Sequence, residues 1–309
     1  MTGDRPLLGI LLMLGFCILA PLGDGTAKVL GARIPVAELL AVRFAVQAAI
    51  LLPLVWAAGT TLALPARAQR LVAVRTALHV AGIGCMFAAL RHLPLADAVA
   101  IAFVMPFIML FLGWLVLGEQ VGARRIGAAA VGFAGTMMVV QPSFAEVGAP
   151  ALLPLAVAVI FALFMLVTRQ LARVADPVVL QALGGVMGTA ALAPALALGW
   201  AAGLFQPVMP GGVDWALLAL LGALGTAAHL VMTWSLRYAP TATLAPMQYL
   251  EIPFAAAIGW LIFGDFPNGL ALAGIVVTVS AGLYIVLREG RLSRSSAPPA
   301  PAPAPPAAE

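Results

Sequence analysis

The segment GWLVLGE at Gly113–Glu119 returns as GWLIFGD at Gly259–Asp265, 146 positions later in a chain of 309 residues. RHLP at Arg91–Pro94 returns as RYAP at Arg237–Pro240 with the same offset. Two motifs with one offset mark a duplicated unit of about half the chain. Both copies lie in strongly apolar sequence, and a duplicated membrane unit is the plan on which many secondary transporters are built.

The medium in which the halves fold follows from composition. The chain is 63% hydrophobic and 9% charged, against about 25% charged in a soluble domain. Apolar runs of ~20 residues, enough to cross the hydrocarbon core, can be placed ten times. They fall at 7–27, 36–57, 71–90, 95–117, 124–141, 150–169, 178–199, 214–236, 241–263 and 268–287. A segment in lipid must satisfy its backbone internally, so the runs predict an all-α integral membrane fold of ten transmembrane helices. Leu7–Leu22 has the length of a signal-peptide core, but the many later spans favour an uncleaved first helix. Cys17 and Cys85 lie in predicted spans and make neither a disulfide framework nor a metal-ligand spacing.

Basic residues set the orientation. With the N-terminus inside, twelve of the 16 Lys and Arg fall in cytoplasmic segments, Arg75 and Arg173 among them. The opposite side holds Lys28, Arg33 and Arg91, and Arg43 lies within a span. That asymmetry places both termini in the cytoplasm. Each repeat has five spans, an odd number, so the second enters the membrane upside down: two inverted five-helix repeats, 7–141 and 150–289. Glu119 then lies at the cytoplasmic face and Asp265 at the external face. The Ser-, Ala- and Pro-rich segment 293–309 reads as a disordered cytoplasmic tail. The formal charge of +4 is spread through loops and does not point to nucleic acid.

Few residues in the spans can carry chemistry. Glu251 lies about ten residues into the ninth span, roughly 15 Å deep and near the bilayer midplane. An ionisable group there is a functional candidate, with a structural ion pair or a hydrogen-bonded glutamic acid as the alternative. Arg43, about eight residues into the second span, stays charged and needs a carboxylate, carbonyls or an anionic substrate group. Gln248 and Tyr249 crowd Glu251 and are candidates to orient a ligand. Pro253 removes the donor for the carbonyl of Tyr249, and Pro106 does the same to Ala102 in the fourth span. The two prolines are one residue short of equivalent repeat positions, and paired interruptions in matching spans point to a cavity, a packing kink being the alternative. His229 is a candidate proton relay or a neutral histidine bonded across helices. Asp24 and Lys28, spaced i, i+4, form either a gate ion pair or a solvated helix end. No phosphate loop, HExxH or clustered-acid metal site is present, so neither a metal nor a cofactor is expected.

The chain resembles the drug/metabolite transporter superfamily, in particular its EamA-like ten-helix members. The resemblance rests on Leu117–Glu119 and Phe263–Asp265, PLADAVAI at Pro94–Ile101, Pro106, Gly127 and Gly135 with Gly274 and Gly282, and Lys28, Pro35 and Arg43. APMQYLEIPF at Ala245–Phe254 and SAGLYIVLRE at Ser280–Glu289 look similar to a bacterial subgroup with S-adenosylmethionine-uptake and riboflavin-type transporters. Asp265 departs from the family's glutamate, and Arg43 has no charged mate in the seventh span. The resemblance implies two inverted bundles around a central cavity lined largely by spans 1, 3, 4, 6, 8 and 9, and is compatible with a homodimer. The resulting expectation is a multi-pass transporter in a bacterial inner membrane, moving a small organic metabolite by alternating access. A vitamin such as riboflavin, S-adenosylmethionine and amino-acid-like compounds are candidate substrates, with proton coupling through Glu251. Export of amino acids or drugs is the alternative within transport. An integral-membrane enzyme and a non-transporting sensor are the alternatives of another class.

Overall fold

The computed structural model describes residues 6–105, 107–108, 123–171, 175–238, 244 and 248–295. Ten α-helices lie among them: α1 Pro6–Gly31, α2 Val36–Ala57, α3 Ala66–Leu90, α4 Leu95–Ala102, α5 Ala123–Val147, α6 Leu153–Leu171, α7 Pro177–Ala201, α8 Gly212–Tyr238, α9 Glu251–Phe263 and α10 Gly269–Ser295. Each falls on one of the ten predicted spans. Among the described residues seven are long and apolar enough to cross a membrane, and Glu251–Phe263 and Gly269–Tyr284 are shorter apolar helices. The chain is an all-α, multi-pass membrane protein.

Local sequence explains the boundaries. Pro35, Pro65 and Pro94 stand at the N-caps of α2, α3 and α4, where a fixed φ and a missing N–H cost nothing. Asp176 caps α7 by accepting from Val178 N at 2.8 Å, with Pro177 opening the helix. Gly264, at φ 71°, closes α9 in the left-handed conformation.

Packing follows the duplication. Exchanging each helix with the one five places on turns α1–α8 into α6–α3, α2–α8 into α7–α3 and α1–α9 into α6–α4. The pairs α2–α7, α4–α9 and α5–α10 map onto themselves, and all nine pairs are packed. Gly132 and Thr278 are themselves 146 positions apart, and Thr278 Oγ1 donates to the Gly132 carbonyl at 3.4 Å. Lipid gives helices no hydrophobic drive to associate, so close approach of small residues does that work. A Cβ on Gly274 would lie 2.5 Å from the Gly135 carbonyl oxygen, and one on Gly185 would lie 2.8 Å from Ala48 N. Around these contacts Leu30, Leu39, Phe44, Leu90, Leu95 and Ile101 build the main apolar core.

Two features differ from the sequence reading. Arg75, counted there with the cytoplasmic loops, lies inside α3 and is 0% exposed. Helix α10 continues to Ser295, into the segment read as a tail, because its last turns carry Arg and Glu that tolerate a helix leaving the membrane. Pro106, the motif at Gly113–Glu119 and residues 296–309 lie outside the described residues.

Candidate functional site

The fourth and ninth spans are both broken, at equivalent places. Helix α4 stops at Ala102, and Phe103 and Val104 form a turn before the chain resumes its helical bonding, with Phe107 N donating to Val104 O at 3.0 Å. Tyr249 and Leu250 form the matching turn ahead of α9. Phe103 and Tyr249 occupy equivalent repeat positions, and their rings stand 5.4 Å apart, so the two breaks touch. Pro253 sits in the first turn of α9, where no helical donor is required of it. The Tyr249 carbonyl expected to be left free accepts instead from Ile252 N at 3.3 Å, a tighter turn that a restarting helix permits.

Beside these breaks lies a cavity of about 920 Å³ between the side chains, its mouth included. Its walls are apolar, with Phe16, Phe87, Phe103, Phe161, Met86 and Met232 among them. Five polar side chains interrupt that surface: Asp24 from α1, Arg43 from α2, His229 from α8, Gln248, and Glu251 at the start of α9. The positive end of the restarted helix favours an acid at Glu251. The charge of Asp24 acts on both Arg43 and Glu251, so the three form one electrostatic unit.

Arg43 is held in a fitted seat. Its Cζ lies 5.4 Å from the centre of the Phe44 ring, a distance at which a cation interacts with the π face. A Cβ on Gly225 would sit 2.6 Å from Arg43 Nε, so the guanidinium occupies the space that glycine leaves. Arg43 is 3% exposed, and its Nη1 has no hydrogen-bond partner among the described residues. An unpaired donor on a permanent cation, beside a cavity, is a place for an anionic or carbonyl group.

A buried polar network backs this wall. The Nε2 atoms of His79 and His229 are 3.2 Å apart, a hydrogen bond only if one ring carries its proton on Nε2 and the other on Nδ1. Gln181 Nε2 donates to the His229 carbonyl at 3.1 Å and to Thr233 Oγ1 at 3.2 Å. Gln47 Nε2 in turn donates to the Gln181 carbonyl at 2.7 Å, so α2, α7 and α8 are tied together. Arg75 Nε donates to Thr168 Oγ1 at 3.0 Å, and its guanidinium lies 4.6 Å over the Phe164 ring.

The candidate residues are therefore only partly brought together. Arg43, His229, Gln248, Glu251 and Asp24 meet at the cavity. Tyr249 does not line it: the ring is 2% exposed and fills the notch left by Gly282 of α10, because the break turns it toward that helix. Asp24 and Lys28 part company as well. Lys28 Nζ is 2.7 Å from Asp265 Oδ2 just beyond α9, whereas Asp24 faces the cavity. Gln47, Arg75 and Gln181 join the two histidines in this network without having been singled out as a site. The available signal was polarity inside an apolar run, with Gln47 one helical turn beyond Arg43. Among the described residues no group of three or more His, Cys, Asp or Glu could hold a metal ion.

The family model of EamA-like transporters matches residues 7–141 and 149–288. The chain belongs to the EamA-like transporter family. It is 32% identical over 231 residues to a riboflavin transporter of Rhizobium johnstonii, covering 72% of each chain. It is 28% identical to the pseudopaline exporter of Pseudomonas aeruginosa, covering 84% of this chain and 88% of that one. An S-adenosylmethionine uptake transporter of Rickettsia prowazekii is 24% identical, with 91% and 93% covered. A crystal structure at 21% sequence identity superposes with a TM-score of 0.62 over 93% of this chain and 97% of its own, a likeness of fold.

Proposed function

We propose that the protein is an inner-membrane secondary transporter that carries a small organic metabolite by alternating access, its two inverted repeats spanning 7–141 and 150–289. The observation carrying this reading is an apolar, aromatic-walled cavity with five polar side chains, placed beside symmetry-related helix breaks in a chain of transporter lineage. Apolar walls with a few convergent polar groups are what a small-ligand site requires.

Phe16, Phe87, Phe103 and Phe161 offer faces for a ring-bearing substrate, and the relatives named for riboflavin and S-adenosylmethionine make such compounds the first to test. Glu251 takes a substrate amine or a proton, Gln248 orients the ligand, and the open Nη1 of Arg43 receives a carboxylate or carbonyl. Asp24 balances Arg43 when the cavity is empty. Tyr249 supports the break and leaves ligand contact to its neighbours. Both termini face the cytoplasm, and gradients of substrate or protons supply the energy.

The test is twofold. A thermal-shift screen of riboflavin, S-adenosylmethionine and amino acids should raise the melting temperature for at least one compound, since a ligand stabilises the state it binds. In proteoliposomes Glu251→Gln should then abolish the pH dependence of uptake of that compound. Unchanged uptake with unchanged pH dependence would remove Glu251 from the site. Initial rates in vesicles of opposite orientation separate import from export.

A further inference from the structure

Arg75 of α3 is a permanent cation with 0% of its surface exposed, and it does not line the cavity. Its Nε is spent on Thr168 Oγ1, and a face of its guanidinium lies over the Phe164 ring. Among the described residues Nη1 and Nη2 have no hydrogen-bond partner, and no carboxylate pairs with the guanidinium. Its contacts are therefore a hydroxyl and an aromatic ring, both neutral. The glycines of α7 show what lies in front of it. A Cβ on Gly185 would lie 2.8 Å from Ala48 N, and one on Gly188 would lie 2.5 Å from Phe44 Cδ1, so a neighbour needs the room at both. Gly184 is different. Its added Cβ would meet Arg75 Nη1 at 3.6 Å and both Gln47 Nε2 and Thr76 Oγ1 at 3.7 Å, with no atom of another helix nearer. Three polar atoms from α2 and α3 thus surround a space about the size of a methyl group.

We propose that the space in front of Gly184 is a binding site for one monovalent anion of chloride size, held by Arg75 Nη1 and the Gln47 amide. Gln47 Nε2 gives one hydrogen to the Gln181 carbonyl at 2.7 Å. Its other hydrogen has only Gln181 Oε1 at 3.4 Å, too long to hold it firmly. Thr76 Oγ1 donates to the Val72 carbonyl at 2.8 Å, so it closes the site without donating to it. Charges in a protein interior are paired, because a lone one forfeits its hydration without return. Water would serve these N–H groups, and the unpartnered Gln47 Oε1 as well, but it carries no charge to set against the guanidinium. An organic carboxylate is larger than the space. A halide matches it in sign and size and accepts from several N–H groups at once. The ion ties α3 to α2 beside α7, where the chain itself supplies neutral partners.

The test uses the full chain in detergent, dialysed into sodium gluconate, whose anion is too large for the space. Replacing gluconate by chloride or bromide at constant ionic strength should raise the melting temperature. The expected rise is on the order of 5 °C at halide concentrations well above the dissociation constant. Gly184→Ala fills the space with a methyl group at ordinary contact distance. It should melt close to the parent in gluconate and lose the halide shift. Arg75→Met replaces the cation by an apolar chain, a change that a buried charge without a counter-charge tolerates, and it should lose the shift as well. Salt effects on the exposed surface are common to all three proteins, so the difference between them reads the site. Equal melting of the parent in chloride and gluconate overturns the proposal in favour of water alone. A halide shift as large in Gly184→Ala as in the parent also overturns it, by placing the ion elsewhere, Arg43 included. Gel filtration identifies a variant that misfolds, and the other variant then decides.

Discussion

At the scale of single residues, position along a span was readable and direction around the helix was not. Glu251 and Arg43 announce themselves because an ionisable side chain far from a span end needs a partner. Tyr249, two residues from Glu251, points elsewhere because the break between Tyr249 and Leu250 rotates it toward Gly282. Its hydroxyl is buried with no partner among the described residues. Tyr249→Phe should therefore leave the melting temperature unchanged or raise it, by up to about 1 kcal/mol of stability, with transport retained. Loss of transport at normal stability would place that hydroxyl on the ligand. Gly225 carries the complementary expectation. An alanine there displaces the guanidinium of Arg43, the movable end of a long side chain, and leaves the backbone alone. Gly225→Ala should weaken ligand binding by about tenfold, read by titration calorimetry, while costing the fold less than about 1.5 kcal/mol. A variant that unfolds at the parent's affinity would contradict the seat described for Arg43.

At the scale of helices, each of the ten apolar runs holds a helix among the described residues, because lipid leaves a spanning backbone few alternatives. The breaks in the fourth and ninth spans were signalled by proline, yet each lies a few residues N-terminal to its proline, at Phe103–Val104 and Tyr249–Leu250. Proline disturbs the turn that precedes it, so the interruption precedes the residue that marks it. The ties between Gln47, Gln181 and His229 were out of reach of sequence reading. They join α2, α7 and α8 across separations of 134 and 48 positions, and no periodicity fixes how three helices are rotated against one another. Helices α5 and α10 meet through Gly135 and Gly274, where an added Cβ strikes backbone that cannot turn aside. Gly274→Ala should lower stability by about 1–3 kcal/mol, seen as an earlier melting transition in detergent. Ligand affinity should be unaffected, since neither glycine lines the cavity.

At the scale of the whole molecule, the duplication organises the packing, and the chemistry departs from it. Helix partners exchange in pairs as the repeat demands. Arg43, by contrast, corresponds to Thr189, Asp24 to Gln170, Glu251 to Met105 and His229 to Ile83, so the ionisable groups of the cavity have no ionisable counterpart in the other half. Two further contacts, Arg33 to Asp214 at 2.8 Å and Val208 N to Glu38 at 3.1 Å, join the first half of the chain to the second. A symmetric frame with an asymmetric lining suits a carrier that must present one site to two sides. The most direct measurement is counterflow in proteoliposomes loaded with excess unlabelled riboflavin or S-adenosylmethionine, or with another compound found by thermal shift. The external solution contains the same compound as label. The account predicts transient accumulation of label above its external concentration, abolished by Arg43→Ala and Glu251→Gln together. A compound that binds the purified protein in this cavity, yet shows no counterflow and no exchange, would contradict it.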